Sequence, residues 1–165
     1  MSAFPHDPSY CDSSLERLGS RLPPSSAARV DFPTVLIVDD DSVFRQLEAR
    51  ALCQQGYNVL QADCAAEAIR LGGAATNLHL LLTDFNMPGA DGVELARQFR
   101  ALRPETPVLL VSDSLPAIQD RVKDLDRFAV LEKSSNFGEL LEKVRMLLAE
   151  VTPLPFSQGR ITNDK

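Results

Sequence analysis

The chain of 165 residues has no tryptophan, two histidines and three cysteines. With His6 and His79 as the whole supply, histidine-based acid–base or metal chemistry has little to work with. Cys11, Cys53 and Cys64 fit neither a disulfide framework nor a metal-ligand spacing, which suits a reducing cytoplasm. Cys53 and Cys64 fall in helical patterns, where each reads as a small buried hydrophobe. No apolar run approaches the ~20 residues that a bilayer span requires, and the N-terminus lacks a signal-peptide layout, so membrane insertion is not expected. Basic residues form no run: 17 Lys and Arg stand against 23 Asp and Glu, a net charge of -6, which excludes a generally cationic nucleic-acid surface. Neither GxxxxGK[ST] nor GxGxxG occurs, so those two phosphate loops are absent.

What is present is an alternation. Residues 1–32 are rich in Pro, Ser and Arg, include Pro23-Pro24-Ser25-Ser26, and read as a flexible extension. Residues 150–165 read as a tail, too short for a winged-helix or helix-turn-helix module, so no direct DNA binding is expected. Residues 33–149 make one domain. Buried-type strands at Val35-Leu36-Ile37-Val38, Tyr57-Asn58-Val59-Leu60, residues 78–83, 107–111 and 128–131 alternate with five helical patterns. The first helix carries Val43, Phe44, Leu47, Ala51 and Leu52 at helical spacing, and Gly56 stops it. The second ends at Gly72-Gly73, the third carries Leu95, Ala96, Phe99 and Leu102, and the fourth spans 115–125. Near-continuous apolar strands need cover on both faces, which the helices supply. Right-handed crossovers then give an α/β fold: an open five-stranded parallel sheet flanked by five helices. Its functional crevice lies beyond the carboxyl ends of the strands.

Polar residues gather at those ends. Asp39, Asp40 and Asp41 follow the first strand, Asp84 ends the third, Ser112 follows the fourth and Lys133 the fifth. Taken singly, each has a plainer reading: Asp40 or Asp41 as a helix cap, Ser112 as a turn residue, Lys133 as a surface lysine. Taken together they suit phosphoryl chemistry. Clustered carboxylates repel unless a cation joins them, and their oxygens match Mg²⁺. A lysine and a serine can meet phosphoryl oxygens, and an aspartate can be the nucleophile.

Residues 34–149 resemble the receiver domain of bacterial two-component response regulators. The resemblance lies in Val35-Leu36-Ile37-Val38-Asp39-Asp40-Asp41, in Leu81-Leu82-Thr83-Asp84-Phe85-Asn86-Met87-Pro88-Gly89-Ala90-Asp91-Gly92, in Val111-Ser112 and in Leu131-Glu132-Lys133. It implies a CheY-like (βα)5, flavodoxin-like receiver fold with strand order 2-1-3-4-5. It implies that Asp84 takes a phosphoryl group from a sensor histidine kinase or a histidine phosphotransfer domain. Asp39, Asp40, Asp84 and the Asn86 carbonyl would hold Mg²⁺, while Lys133 and Ser112 would contact the phosphoryl group. Pro88 and Gly92 would be structural. The domain would lose its phosphoryl group by hydrolysis and would not be a kinase. The output would be a changed protein contact on the fourth helix, fifth strand and fifth helix, with a downstream protein or a second copy as partner.

Three positions depart from the family pattern: Val130 stands where an aromatic is usual, Asp113 where a small residue is usual, and Ser134 where proline is usual. Val130 and Asp113 support an alternative, a pseudo-receiver that binds protein without phosphorylation, while Ser134 bears on the output surface. A haloacid-dehalogenase-like phosphatase would want an acid where Asn86 stands, and a flavodoxin would want a flavin-phosphate loop.

Overall fold

The computed structural model describes residues 32–89, 91–123, 128–133 and 136–151. The expected N-terminal extension (to residue 31), most of the expected tail, and the departure at Ser134 lie outside the described residues. The elements alternate without exception: β1 (Thr34–Val38), α1 (Ser42–Gln54), β2 (Asn58–Ala62), α2 (Ala65–Ala74), β3 (Leu80–Asp84), α3 (Gly92–Leu102), β4 (Val108–Ser112), α4 (Leu115–Val122), β5 (Phe128–Glu132) and α5 (Phe137–Val151). All four strand pairings are parallel, and the order is β2-β1-β3-β4-β5.

The period-two geometry of a strand sorts the apolar residues onto two faces. Val35, Ile37, Leu80, Leu82, Leu109 and Val111 point to the side covered by α1 and α5. Leu36, Val38, Leu81 and Val108 point to the side covered by α2 and α3. Leu110 joins Val93 and Ile118 in a smaller cluster beneath α4. Helix starts follow local chemistry. The Asp41 carboxylate accepts from the Val43 and Phe44 amides, and that of Asp91 accepts from the Glu94 amide.

Several readings need correction. Val43, Phe44 and Leu47 are exposed; Leu52 is buried as expected, and α1 also buries Glu48 and Ala49. Cys64 is an exposed N-cap residue outside the helical stripe, not a buried hydrophobe. Cys53 is half-buried on α1 rather than fully buried. The fourth helix ends at Val122, and the expected anchor Leu125 lies outside the described residues.

Gly72 and Gly73 lie inside α2 rather than ending it. Gly72 is there for close approach: a Cβ added to it would come 2.4 Å from the Phe99 ring of α3. Phe99 is fully buried and has no room to withdraw. Gly72→Ala is therefore expected to lower stability by about 1–2 kcal/mol in urea unfolding, despite a helical gain of about 1 kcal/mol. Adding Phe99→Leu to Gly72→Ala should cost less than the two single losses summed.

Candidate functional site

Register builds the site. Val38 of β1 lies beside Thr83 of β3, so the next residues, Asp39 and Asp84, emerge together at the rim. Asp84 in turn lies beside Val111, one position before Ser112, and Ser112 lies beside Glu132, one before Lys133. The Lys133 amide donates to the Ser112 carbonyl at 2.8 Å, which carries the ladder one step past the strands. Carboxylate oxygens of Asp39, Asp40 and Asp84 all fall within 4.8 Å of one another.

The Lys133 ammonium bridges two of these acids. Its Nζ lies 3.0 Å from Asp84 Oδ2 and 3.3 Å from Asp39 Oδ2. It also sits 5.2 Å from the centroid of the Phe44 ring. Burial alone would lower the lysine pKa, but the hydrogen bond and charge of Asp84, then the charge of Asp39, outweigh it and raise it. Burial pushes the Asp39 carboxyl up, against the opposing Asp41 amide and Lys133. The Asp41 amide donates to Asp39 Oδ1 at 2.7 Å.

One oxygen is left over. Asp84 Oδ1 is buried and has no hydrogen-bond partner. An orphaned carboxylate oxygen beside two more carboxylates costs free energy that a cation relieves. The donors are all hard oxygens, so the residues present fit Mg²⁺.

The structure brings together Asp39, Asp40, Asp84 and Lys133. Ser112 is buried at the same rim, but its hydroxyl is engaged in the turn toward α4: it accepts from the Ser114 amide at 3.1 Å and donates to the Ser114 carbonyl at 3.4 Å. Asn86 is exposed, two residues beyond Asp84. Asp113 is exposed too, so its charge faces solvent rather than the acid cluster. Gly92 lets the loop close: its amide donates to the Phe85 carbonyl, and a Cβ would come 2.3 Å from the Asp84 carbonyl oxygen.

Family comparison agrees with this geometry. The response regulator receiver domain family matches residues 35–145. The chain belongs to this family. Response regulator MprA of Mycolicibacterium vanbaalenii is 35% identical over 121 residues, covering 72% of this chain and 52% of that protein. Transcriptional regulatory protein AruR of Pseudomonas aeruginosa is 34% identical over 142 residues, covering 77% and 54%. The chain thus spans about half the length of these curated relatives. Among solved structures, a response regulator receiver protein from Pseudomonas putida is similar at 32% identity and a TM-score of 0.66, covering 73% of this chain and 99% of that one. Response regulator TrrA from Thermotoga maritima, solved in complex with Mg²⁺-BeF, is similar at 31% identity and a TM-score of 0.63, covering 70% and 99%. The acidic cluster is therefore a receiver-domain phosphoacceptor site. Among the described residues, no helix is long and apolar enough to cross a membrane.

One residue near the receiver site escaped the sequence reading. Glu48 is a buried carboxyl on α1, between Phe44 and Leu52 at helical spacing. The available signal was an acid in an apolar stripe. Burial pushes its pKa from 4.5 up to about 8, with Asp39 and then Asp84 adding to the rise and Lys133 opposing it. Its contribution to stability is therefore greatest below pH 4.5 and is lost as pH rises toward about 8. Glu48→Gln is expected to gain on the parent between about pH 5 and 7.5, by at most ~1.4 kcal/mol per unit, in thermal unfolding at each pH.

Proposed function

We propose that Asp84 accepts a phosphoryl group from the phosphohistidine of a partner histidine kinase or phosphotransfer domain. The observation that carries this reading is the division of labour at Asp84: Oδ2 is held by Lys133 while Oδ1 is buried without a partner. Oδ1 would be open to a cation, and Oδ2, once Lys133 releases it, would bond phosphorus. The O–P bond forms as the P–N bond to the donor imidazole breaks, and the electron pair leaves with the nitrogen. Asp39, Asp40, Asp84 and the Asn86 carbonyl would hold Mg²⁺, which would supply charge neutralisation for the phosphoryl oxygens. Lys133 moves with its flexible stem from carboxylate to phosphoryl oxygen. Water then displaces the carboxylate and resets Asp84. The chain supplies the acceptor and is not a kinase.

A protein donor fits the surroundings of the site. Val43, Phe44 and Leu47 on α1 and Phe137 at the start of α5 leave 63, 43, 42 and 41% of their surface exposed. Exposed apolar side chains beside a charged cleft suit a macromolecular surface better than a small polar donor.

The output runs through α4, β5 and α5 to a downstream protein. The Ser112 hydroxyl lies in the turn that opens α4, so its withdrawal toward a phosphoryl group pulls on that helix. Among the described residues, α4 is fully anchored in the core only by Ile118. Val130 is half-buried and lacks a ring to rotate, so the serine turn carries the coupling. The exposed setting of Asp113 removes one argument for a pseudo-receiver, and Val130 remains as the other.

Intact-mass analysis with Mg²⁺ and acetyl phosphate tests the acceptor. The parent should gain about 80 Da, and Asp84→Asn should gain nothing. A parent that stays unmodified across donor and metal concentrations supports the pseudo-receiver. Size-exclusion chromatography with beryllofluoride checks whether a second copy is the partner: association on adding it identifies self-assembly as the output.

A further inference from the structure

Glu48 is the group the phosphoacceptor reading does not use. Helical spacing from Phe44 to Leu52 calls for an apolar side chain at position 48. The sequence places a carboxyl there that is only 7% exposed. It lines a cavity of about 80 Å³ together with Phe44, Glu132, Lys133 and Phe137 and with apolar side chains of β4, β5 and α5. Lys133 therefore borders two acidic environments. On one side are Asp84 and Asp39, at 3.0 and 3.3 Å. On the other is the cavity with Glu48.

A carboxyl this buried is costly to ionise, and an ammonium brought to it offsets that cost. Lysine is suited to change partners, because its ammonium is a point charge on a flexible four-carbon stem. We propose that Glu48 is a positioning residue for Lys133: a second acceptor, on the cavity side, that draws the ammonium off Asp84 and Asp39 and so sets how readily the acidic cluster opens to a cation.

The facing groups support this. The charged ones are Asp39 from the end of β1, Asp84 from β3, Glu132 at the end of β5 and Lys133 just after it. From β4, β5 and α5 the other facing side chains are Val111, Leu131, Phe137 and Leu140, none of which competes for an ammonium. In the cation-free chain two carboxylates outweigh one, and Lys133 stays with Asp84. Ionisation of Glu48, whose carboxyl burial pushes up to about 8, strengthens its pull as pH rises.

The cation part of this inference rests on the receiver-site reading, so the test has a metal-free arm. Lysine ¹³Cε and ¹⁵Nζ NMR of the full chain, with Lys133 assigned through its loss in Lys133→Arg, is followed from about pH 6 to pH 10. The parent should show a step in the Lys133 signal with a midpoint near 8, and E48Q should lack it. E48M, an apolar replacement of similar length, guards against misfolding of the amide variant and should also lack the step. An unchanged Lys133 titration in folded E48Q or E48M overturns the proposal. In the second arm, calorimetry should give E48Q about threefold weaker Mg²⁺ binding than the parent at about pH 8.5, and equal binding at about pH 6.5. Equal affinity at both pH values overturns the link to the cation. Absence of Mg²⁺ binding in both proteins sinks the receiver-site reading instead, while the NMR arm still decides whether Glu48 positions Lys133.

Discussion

Like charges forced together at one rim are the constraint around which this domain is arranged. Carboxylate oxygens of Asp39, Asp40 and Asp84 fall within 4.8 Å of one another, two of the three residues buried. Such an arrangement is unfavourable in isolation. Lys133 offsets part of it through two ion pairs, and the acids in turn raise the lysine pKa. Asp84 Oδ1 remains unsatisfied. A receiver domain keeps this residual cost because it is what makes the site responsive. A cation gains free energy by relieving it.

The sheet makes the constraint inescapable. Parallel strands in fixed register hold Asp39 beside Asp84, and Ser112 and Lys133 one step further along the rim. Both faces of β1, β3 and β4 are sealed by fully buried apolar side chains. Slipping the register by one residue would turn every one of those side chains to the wrong face, so the core protects the site geometry. Glycine at position 92 adds a second lock, since only a residue without Cβ lets the loop pack on the Asp84 carbonyl.

From the rim, a change in charge has a short route to the surface. Ser112 ties the end of β4 to the first turn before α4. Arg121 of α4 pairs with Asp91 at 2.7 Å and lies over the Phe85 ring, while Arg97 of α3 donates to the Arg121 carbonyl. These exposed contacts are individually weak. Weak tethers suit an element whose equilibrium is to be shifted by one new group. The buried Glu48 of α1 lines the same cavity as Lys133.

The amino-acid order alone determined the alternation of strands and helices, the gathering of Asp39, Asp40, Asp84, Ser112 and Lys133 at one edge, and the family. It could do so because strand period, helix period and the shared direction of parallel strands are local or topological properties. Three-dimensional packing decided the rest. It exposed Val43, Phe44 and Leu47 although they lie at helical spacing, and turned Glu48, Ala49 and Leu52 of the same helix inward. It kept Gly72 inside α2 because Phe99 arrives from another helix. It turned Asp113 outward and buried Glu48 beside Lys133. Each of these depends on a neighbour distant in the chain, and the spacing of residues along one segment carries no record of what another segment will place against it.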